Sequence, residues 1–365
     1  MIIDDIRNAG TSIWLDDLSR AKITGTDAHS LPARISQSGV VGVTTNPSIF
    51  SSAISGAQEY AADIAAMKGS TVDEVVRKLT TDDVRNACDL FSDIYTTSKG
   101  VDGRVSIEVD PRLAHNTKET IEQGRTLYAL INRPNVMIKV PATIEGLPAI
   151  TALISEGISV NVTLIFSLSR YEQVIDAFMQ GLEARIAQGE STSEIHSVAS
   201  FFISRIDSAV DQELKKIDTD KSRELLGKTA IANAALAYEV FEKKMNSTRW
   251  KAISQSGANM QRPLWASTGV KDPAYEDTRY VIELIAPHTV NTMPQSTLDA
   301  VIDHGVFRGN TISETYSTSR EVIASLDSLG ISLPAITNAL EIDGVKKFAQ
   351  AWEELLSSVA GALNT

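Results

Sequence analysis

Residues 135–141 read Asn-Val-Met-Ile-Lys-Val-Pro, and this short stretch points to both a fold and a chemistry. Its apolar residues, bounded by proline on either side, predict a buried β-strand. Lys139 is the exception, because an ammonium group that loses its hydration costs several kcal/mol. A buried amine that gives up its proton is a nucleophile and forms Schiff bases with carbonyl compounds. The alternative is a lysine whose ammonium group reaches water at the strand end.

Similar short apolar runs recur along the chain on both sides of this stretch, and helical patterns follow them. The predicted strands are residues 12–16, 40–47, 105–110, 135–141, 158–166, 198–205, 263–268 and 289–293. The main predicted helices are residues 31–38, 57–98, 116–132, 143–156, 169–187, 207–245, 277–285 and 296–303. Eight strand–helix units predict an α/β protein with a closed parallel sheet, a (β/α)8 TIM barrel.

The domain organisation follows from the same pattern. We expect residues 1–365 to form a single barrel domain with a helical insertion around 207–260 and appended C-terminal helices at about 311–365. The helical excess at 207–260 leaves a two-domain arrangement open. The last predicted helix, residues 344–363, is apolar along one side and must pack on the barrel surface or mouth. That side comprises Val345, Phe348, Trp352, Leu355, Val359 and Leu363.

Composition narrows the possible partners and the compartment. The chain of 365 residues has 34 basic and 46 acidic residues and a formal charge of -12, which argues against nucleic acid or an anionic membrane as the main partner. One cysteine, Cys88, excludes an internal disulfide and fits a reducing compartment. The first ten residues lack the pattern of a signal peptide, and no apolar run is long enough to cross a membrane. We therefore expect a cytoplasmic protein.

Polar residues concentrate where the predicted strands end, and this is the rim at which barrel enzymes place their reacting groups. These residues are Asp16, Asn46, Glu108, Lys139, Asn161, Thr163, Ser200, Arg205 and Ser267. Any one of the Asp or Asn residues could instead cap a helix or form a turn, but the set comes from seven strands. Glu108 and Lys139 lie inside adjacent predicted strands. Glu108 could therefore accept a proton through a shared water, or the two residues could form a structural ion pair.

Motifs for other chemistries are missing from the sequence. It has no glycine-rich nucleotide-binding motif, no histidine spacing typical of zinc sites and no G-x-S-x-G. Asp16, Glu108 and Asp110 could in principle bind Mg²⁺ in a barrel mouth, but Lys139 beside them would repel the metal. A barrel with a structural Glu108–Lys139 pair, or a metal-dependent one, is the alternative to Schiff-base chemistry.

Five segments together resemble the transaldolase family, of the longer type found in bacteria. The resemblance covers about residues 12–298. The matching segments are Gly42-Val-Thr-Thr-Asn-Pro-Ser-Ile-Phe50, Ile107-Glu-Val-Asp110, Met137-Ile-Lys-Val-Pro-Ala-Thr143, Asn161-Val-Thr-Leu-Ile-Phe166 and Asn291-Thr-Met-Pro294. Thr-Thr-Asn-Pro followed by Ile-Lys-Val-Pro is the most specific combination.

The resemblance implies a catalytic role for four residues. Lys139 would form a Schiff base with the ketone of a sugar phosphate, and Asp16 would take the proton from the C4 hydroxyl as the C3–C4 bond breaks. Glu108, with Thr163, would activate the water used to form and hydrolyse the imine. The implied reaction, part of the pentose phosphate pathway, transfers dihydroxyacetone from sedoheptulose 7-phosphate to glyceraldehyde 3-phosphate and needs no metal or organic cofactor. Its partners would be sugar phosphates, and the enzyme would be a monomer or a homodimer.

The resemblance also implies binding residues for the sugar and its phosphate. Hydroxyls of the three-carbon unit would be bound by Asn46, Asn161 and Ser200, and the phosphate by Arg205 and Ser267. Many transaldolases carry an arginine two positions after the serine of strand seven, whereas this chain has Lys271 as the nearest cation.

One position separates transfer from simple cleavage. Related fructose 6-phosphate aldolases carry a tyrosine on strand six where this chain has Phe202. A phenol there could protonate the enamine, and a phenyl ring cannot. A Schiff-base aldolase of that kind, which releases its product without an acceptor, is the alternative activity.

Overall fold

Eight parallel strands close into a barrel in which each strand pairs with its neighbours in sequence and the last pairs with the first. The computed structural model describes residues 1–363. The strands are β1 Thr11–Asp16, β2 Gly42–Thr44, β3 Arg104–Glu108, β4 Val136–Pro141, β5 Val160–Ile165, β6 Ser197–Phe202, β7 Gln261–Ala266 and β8 Thr289–Met293. The predicted (β/α)8 barrel is confirmed.

Helices surround the barrel and cover the outer face of the sheet. In chain order they are α1 Ile2–Asn8, α2 Arg20–Thr24, α3 Leu31–Ser38, α4 Pro47–Ile54, α5 Ala61–Ala66, α6 Val72–Leu90, α7 Ser92–Thr97, α8 Thr117–Ile131, α9 Gly146–Ser155, α10 Leu168–Ala187, α11 Ser204–Ile217, α12 Asp220–Leu225, α13 Thr229–Met245, α14 Thr248–Ser254, α15 Arg279–Ile282, α16 Gln295–His304, α17 Tyr316–Ser328 and α18 Leu333–Leu363. Both faces of the strands are therefore buried, which explains their nearly continuous apolar runs.

Strand register fixes which side chains share a level of the barrel. Lys139 on β4 is paired with Glu108 on β3 and with Asn161 on β5. Side chains at paired positions of parallel strands point to the same face of a sheet. These three polar side chains therefore lie side by side across three neighbouring strands.

The second and sixth predicted strands extend furthest beyond the observed carboxyl ends, because a helix begins soon after each strand. The second was predicted to run to residue 47, but β2 ends at Thr44, and Asn46 caps α4, whose first residue is Pro47. The sixth was predicted to include Arg205, but β6 ends at Phe202 and Arg205 lies in the first turn of α11. The buried Ile203 extended the sixth predicted strand, and Pro47 marked the predicted end of the second.

Two long predicted helical stretches are interrupted. The helical region predicted at 57–98 contains a short 3-10 helix, α5, α6 and α7, and the helical stretch predicted at 207–245 contains α11, α12 and α13. Asp218 ends α11 in the left-handed conformation, with φ of 51°, and reverses the chain. The apolar periodicity did not reveal these breaks, because the helical spacing of apolar residues resumes after each turn.

The C-terminal helix α18 is 31 residues long and begins 11 residues before the predicted start at 344. It packs against α4, α6 and α11, and Phe348, Trp352 and Leu355 are among its buried residues. Gly344 packs closely against β5, because a Cβ there would lie 3.1 Å from a methyl group of Leu164. This packing lays α18 across the carboxyl end of the barrel.

Membrane-spanning potential is confined to one helix pair in the described part of the chain. No single helix within residues 1–363 is long and apolar enough to cross a membrane. The pair α17 and α18 reaches that length and composition together, with a bend of 92° between the two helices.

Candidate active site

A cavity of about 420 Å³ opens at the carboxyl ends of the strands. Eight of the residues predicted from sequence lie on its wall: Asp16, Asn46, Lys139, Ser200, Phe202, Arg205, Ser267 and Lys271. The other three, Glu108, Asn161 and Thr163, are buried in the barrel next to it. Residues that are up to 255 positions apart in sequence therefore surround one space, because the closed sheet brings all its carboxyl ends to one rim.

Lys139 brings an amine to the floor of this cavity. All six residues of β4 are buried, and Lys139 itself is 5% exposed. Its Nζ donates a hydrogen bond to the backbone carbonyl of Thr45 at 2.7 Å. The amine is thus held by a neutral acceptor at the edge of a cavity rather than extended into bulk water.

Glu108 lies at the level of Lys139 and has one oxygen bonded and one free. Its Oε2 accepts a hydrogen bond from Thr45 Oγ1 at 3.0 Å. Among residues 1–363, neither Glu108 Oε1 nor the buried Thr163 Oγ1 finds a hydrogen-bond partner. Burial raises the pKa of the Glu108 carboxyl, while the charge of Lys139 acts in the opposite direction. Buried polar atoms without protein partners are suited to bind an ordered water.

Asp16 lies at the end of β1 and lines the same cavity as Lys139. Its Oδ1 accepts a hydrogen bond from Thr44 Oγ1 at 2.6 Å, and Thr44 in turn contacts Thr292 Oγ1. Burial raises the pKa of the Asp16 carboxyl, whereas Lys139 and the bond from Thr44 lower it. A carboxyl with a raised pKa next to a reacting hydroxyl is suited to accept and return a proton.

The three predicted sugar-binding residues differ in how they are held. Ser200 Oγ donates to Asn161 Oδ1 at 2.7 Å, and Asn161 Nδ2 donates to Ser106 Oγ at 2.9 Å. This chain fixes the Asn161 amide below the cavity and leaves Ser200 on the wall. Asn46 caps α4 through its Oδ1, which accepts from Ile49 N at 3.0 Å. Its amide nitrogen remains available, so Asn46 is both a helix cap and a cavity residue.

The predicted phosphate-binding residues form the cationic end of the cavity. The Arg205 guanidinium lies 5.3 Å from the Phe202 ring, and its buried Nη1 has no hydrogen-bond partner within the described chain. Burial lowers the pKa of Arg205, while the charges of Asp343 and Asp16 raise it. Ser267 has a φ of 56° and bonds Ser204 through its hydroxyl at 2.9 Å. A partly buried guanidinium with an unpartnered nitrogen at a cavity wall is suited to bind a phosphate oxygen.

Sequence reasoning missed the contribution of α18. Lys347, Gln350 and Glu354 lie on the cavity wall, and Lys347 pairs with Asp343 at 2.7 Å. The apolar side of this helix predicted that it packs on the barrel, and Lys347 directly precedes the buried Phe348. The position of Lys347 next to a residue of the apolar side was the sequence feature that could have predicted its place at the barrel mouth. Thr45, which bonds both Lys139 and Glu108, lies in the Thr-Thr-Asn-Pro segment, but the sequence predicted no role for it.

Of the three residues that could in principle bind Mg²⁺, Asp110 is already paired with an arginine. Both carboxylate oxygens of Asp110 accept hydrogen bonds from the Arg112 side chain. Within residues 1–363, no group of three or more His, Cys, Asp or Glu side chains is arranged to hold a metal ion.

Comparison with known proteins gives matches over nearly the whole chain. The family described as Transaldolase/Fructose-6-phosphate aldolase matches residues 13–359. The transaldolase of Arthrobacter sp. (strain FB24) is 54% identical over 361 residues, which cover 98% of this chain and 96% of the relative. Transaldolases of Mycolicibacterium smegmatis and Thermobifida fusca are 54% and 52% identical, over 98% and 99% of this chain and 96% and 98% of the relatives.

Proposed function

The chain belongs to the Transaldolase/Fructose-6-phosphate aldolase family, and we propose that it is an enzyme that transfers a dihydroxyacetone unit between sugar phosphates. The donor is sedoheptulose 7-phosphate and the acceptor is glyceraldehyde 3-phosphate; the products are erythrose 4-phosphate and fructose 6-phosphate. The observation that carries this proposal is the buried amine of Lys139 on a cavity wall that also holds Asp16 and ends in Arg205.

The first step joins the donor ketone to the enzyme. The Lys139 amine, once it has given up its proton, attacks the ketone carbon, and the resulting carbinolamine loses water to give a protonated imine. Glu108 serves as the proton acceptor and donor through a water held between its free oxygen and Thr163. Support for this role comes from the unpartnered atoms of those two residues, which lie in the described barrel interior.

The second step breaks the C3–C4 bond. Asp16 removes the proton from the C4 hydroxyl, and C4 with its oxygen becomes the carbonyl group of the released aldehyde. The electrons of the C3–C4 bond move into the protonated imine and leave an enamine on Lys139. Arrival of the second aldehyde reverses these steps, with Asp16 returning a proton to the new hydroxyl. Asn46, Ser200 and, through Ser200, Asn161 bind hydroxyls of the three-carbon unit.

Transfer rather than release depends on keeping the enamine unprotonated. Phe202 on the cavity wall carries no acidic proton that could reach the enamine carbon. The relatives named above are transaldolases, which favours transfer over the aldolase alternative. The sugar phosphate is bound by Arg205, Ser267 and Lys271, with Lys271 in place of the strand-seven arginine.

Borohydride trapping tests the proposal directly. The protein is incubated with fructose 6-phosphate, reduced, digested and analysed by peptide mass mapping. The expected result is an addition of the size of dihydroxyacetone on the peptide that contains Lys139. An unlabelled protein, or a label on a different lysine, would overturn the mechanism.

The same proposal covers the setting in which the enzyme works. It acts in the cytoplasm, in the pentose phosphate pathway, as a monomer or a homodimer, and it uses neither a metal nor an organic cofactor. The formal charge of -12 supports small molecules rather than nucleic acid as partners. Light scattering gives the oligomeric state. Because the proposed reaction needs no metal, we expect full activity after treatment with a chelator.

A further inference from the structure

A second cavity, of about 850 Å³, lies at the end of the barrel opposite Lys139. Its wall is formed by the amino ends of β1, β6 and β7 and by the loops that precede β3 and β8. Polar wall residues include Arg7, Ser12, Asp102, His196, Arg262 and His288. We call this space the amino-end cavity. None of the residues of the proposed reaction lines it.

His196 is the most informative residue of the amino-end cavity. It is 6% exposed, and its ring makes no hydrogen bond to any of residues 1–363. Burial, together with the charges of Arg104 and Arg262, lowers the pKa of His196 to about 3. Because His196 lines the cavity and its ring bonds none of the described residues, its ring nitrogens can bond a molecule in the cavity.

Two buried arginines stand behind this ring. Arg262 bonds Asp102 at 3.2 Å and the Thr289 carbonyl at 2.7 Å. Arg104 is fully buried, and its Nη2 has no hydrogen-bond partner in the described chain. A Cβ on Gly100 would lie 2.9 Å from both Arg104 Nη2 and His196 Nε2, so these two groups flank one point. Asp102 pairs with Arg262, and the charge of Glu194 acts on Arg104, whose Nη2 still has no hydrogen-bond partner among the described residues.

The outer part of the amino-end cavity adds another cation. Arg7 of α1 lines the wall, and its guanidinium is outside every ion pair of the described residues. The nearby Asp4 is occupied by the N-terminal amine at 3.1 Å. Trp250 and Met260 supply apolar surface on the same wall. The cavity thus combines cations and free imidazole groups with room for a carbon skeleton.

We propose that the amino-end cavity binds a small organic anion, a phosphate ester or a polycarboxylate, through Arg7, His196, Arg262 and His288. The anion pairs with the Arg7 guanidinium, which is outside every ion pair of the described residues, and it accepts hydrogen bonds from the imidazole groups. Its negative charge also favours protonation of His196, which adds a further donor. The proposal is independent of the Schiff-base chemistry at the other end of the barrel.

Histidine NMR gives a test that is local to this cavity. Two of the five histidines, His196 and His288, line it, and in the described chain none lines the cavity of Lys139. The protein, labelled at its histidine rings, is titrated with glycerol 3-phosphate, with citrate and with NaCl of matched ionic strength. Resonances are assigned with His196→Gln and His288→Gln. If His196→Gln fails to fold, the His196 signals are assigned by exclusion, from single Gln substitutions of the other four histidines.

The expected result is a saturable shift of the His196 and His288 signals with at least one organic anion, while the signals of His29, His115 and His304 follow NaCl. Arg7→Gln should weaken this binding about tenfold, the loss expected for one charge-assisted hydrogen bond. Lys118→Gln, on the opposite end of the barrel, should leave the affinity unchanged. Whichever anion saturates identifies the ligand class. Shifts that match the NaCl control for both anions, or that survive Arg7→Gln unchanged, would overturn the proposal.

Discussion

Lys139 and Glu108 occupy paired positions on β4 and β3, and both bond the same residue, Thr45. Lys139 Nζ donates to the Thr45 carbonyl at 2.7 Å, and the Thr45 hydroxyl donates to Glu108 Oε2 at 3.0 Å. This bridge holds the two groups close together while one oxygen of Glu108 stays free. It therefore fits a site that handles water better than a closed structural ion pair, in which both groups would satisfy each other.

Replacing Lys139 should abolish the reaction and leave the fold intact. Lys139→Met removes the nucleophile, so we expect loss of activity and of borohydride labelling. The unfolding temperature should be unchanged or higher, because an apolar side chain replaces a buried amine. Thermal unfolding and labelling are measured together. Lys118→Met, a change of an exposed lysine, should retain both activity and labelling; a labelled Lys139→Met protein would contradict the assignment.

Glu108→Gln should raise the stability of the protein at neutral pH and lower its activity. Burial raises the pKa of Glu108 above its unfolded value. The folded protein therefore favours the protonated carboxyl. The stability that this protonated form contributes is fully present below the unfolded pKa of about 4.3 and is lost as the pH rises through the folded pKa. At pH 7 the variant should unfold about 2 °C higher than the original protein, equivalent to about 1 kcal/mol in a domain of this size. The difference should vanish near pH 4.

The activity of this variant supplies the second half of that test. Because Gln cannot accept a proton, formation and hydrolysis of the imine should slow by about 10²-fold or more. Calorimetric scans at several pH values and single-turnover trapping give the two measurements. A variant that is less stable than the original at neutral pH would show that Glu108 is a stabilising ion-pair partner.

Phe202→Tyr should increase cleavage in the absence of an acceptor. Phe202 lies on the cavity wall, with Arg205 5.3 Å from its ring. A phenol there can protonate the enamine and free the dihydroxyacetone. Free dihydroxyacetone is assayed after adding fructose 6-phosphate alone. Phe202→Leu removes the ring without adding a hydroxyl and should not increase release; equal release from Phe202→Tyr and the original protein would count against the idea.

Lys347→Gln should weaken binding of phosphorylated substrates. Lys347 reaches the cavity wall from α18, beside the end that contains Arg205. Loss of one charge-assisted contact should raise KM for fructose 6-phosphate about tenfold with little change in kcat. Lys346→Gln, at the neighbouring exposed position, is the matched control and should behave like the original protein. An unchanged KM would mean that Lys347 points past the phosphate.

Asp343→Asn should have the opposite effect on the same substrate. Asp343 pairs with Lys347 at 2.7 Å, one helical turn away, and its charge also acts on Arg205. Since this carboxylate competes with a phosphate for the same cations, its removal should lower KM for fructose 6-phosphate several-fold. KM for unphosphorylated fructose should stay the same. A parallel change for both sugars would point to a general shift of α18 instead.

The alternation of apolar strands and helical patterns was enough to predict the eight-stranded barrel, because these periods are local and repeat along the chain. The placement of Lys139 inside an apolar run, and the polar residues at the strand ends, identified one rim for the same reason. Local pattern was weaker at the boundaries. It extended the sixth strand to Arg205, because residues buried by the start of α11 are as apolar as those buried by the strand.

Only the tertiary structure decided which distant groups meet. Thr45 bridges Lys139 and Glu108 because closure of the sheet brings the ends of β2, β3 and β4 together. Lys347 reaches the same cavity because the apolar side of α18 docks across the barrel mouth. The charge at the opposite end likewise depends on how Arg104 and Arg262 are buried beside His196. The periodicity of the sequence determines the face of a strand or helix on which a residue lies. Closure of the barrel and packing of α18 on it determine which residues become its neighbours.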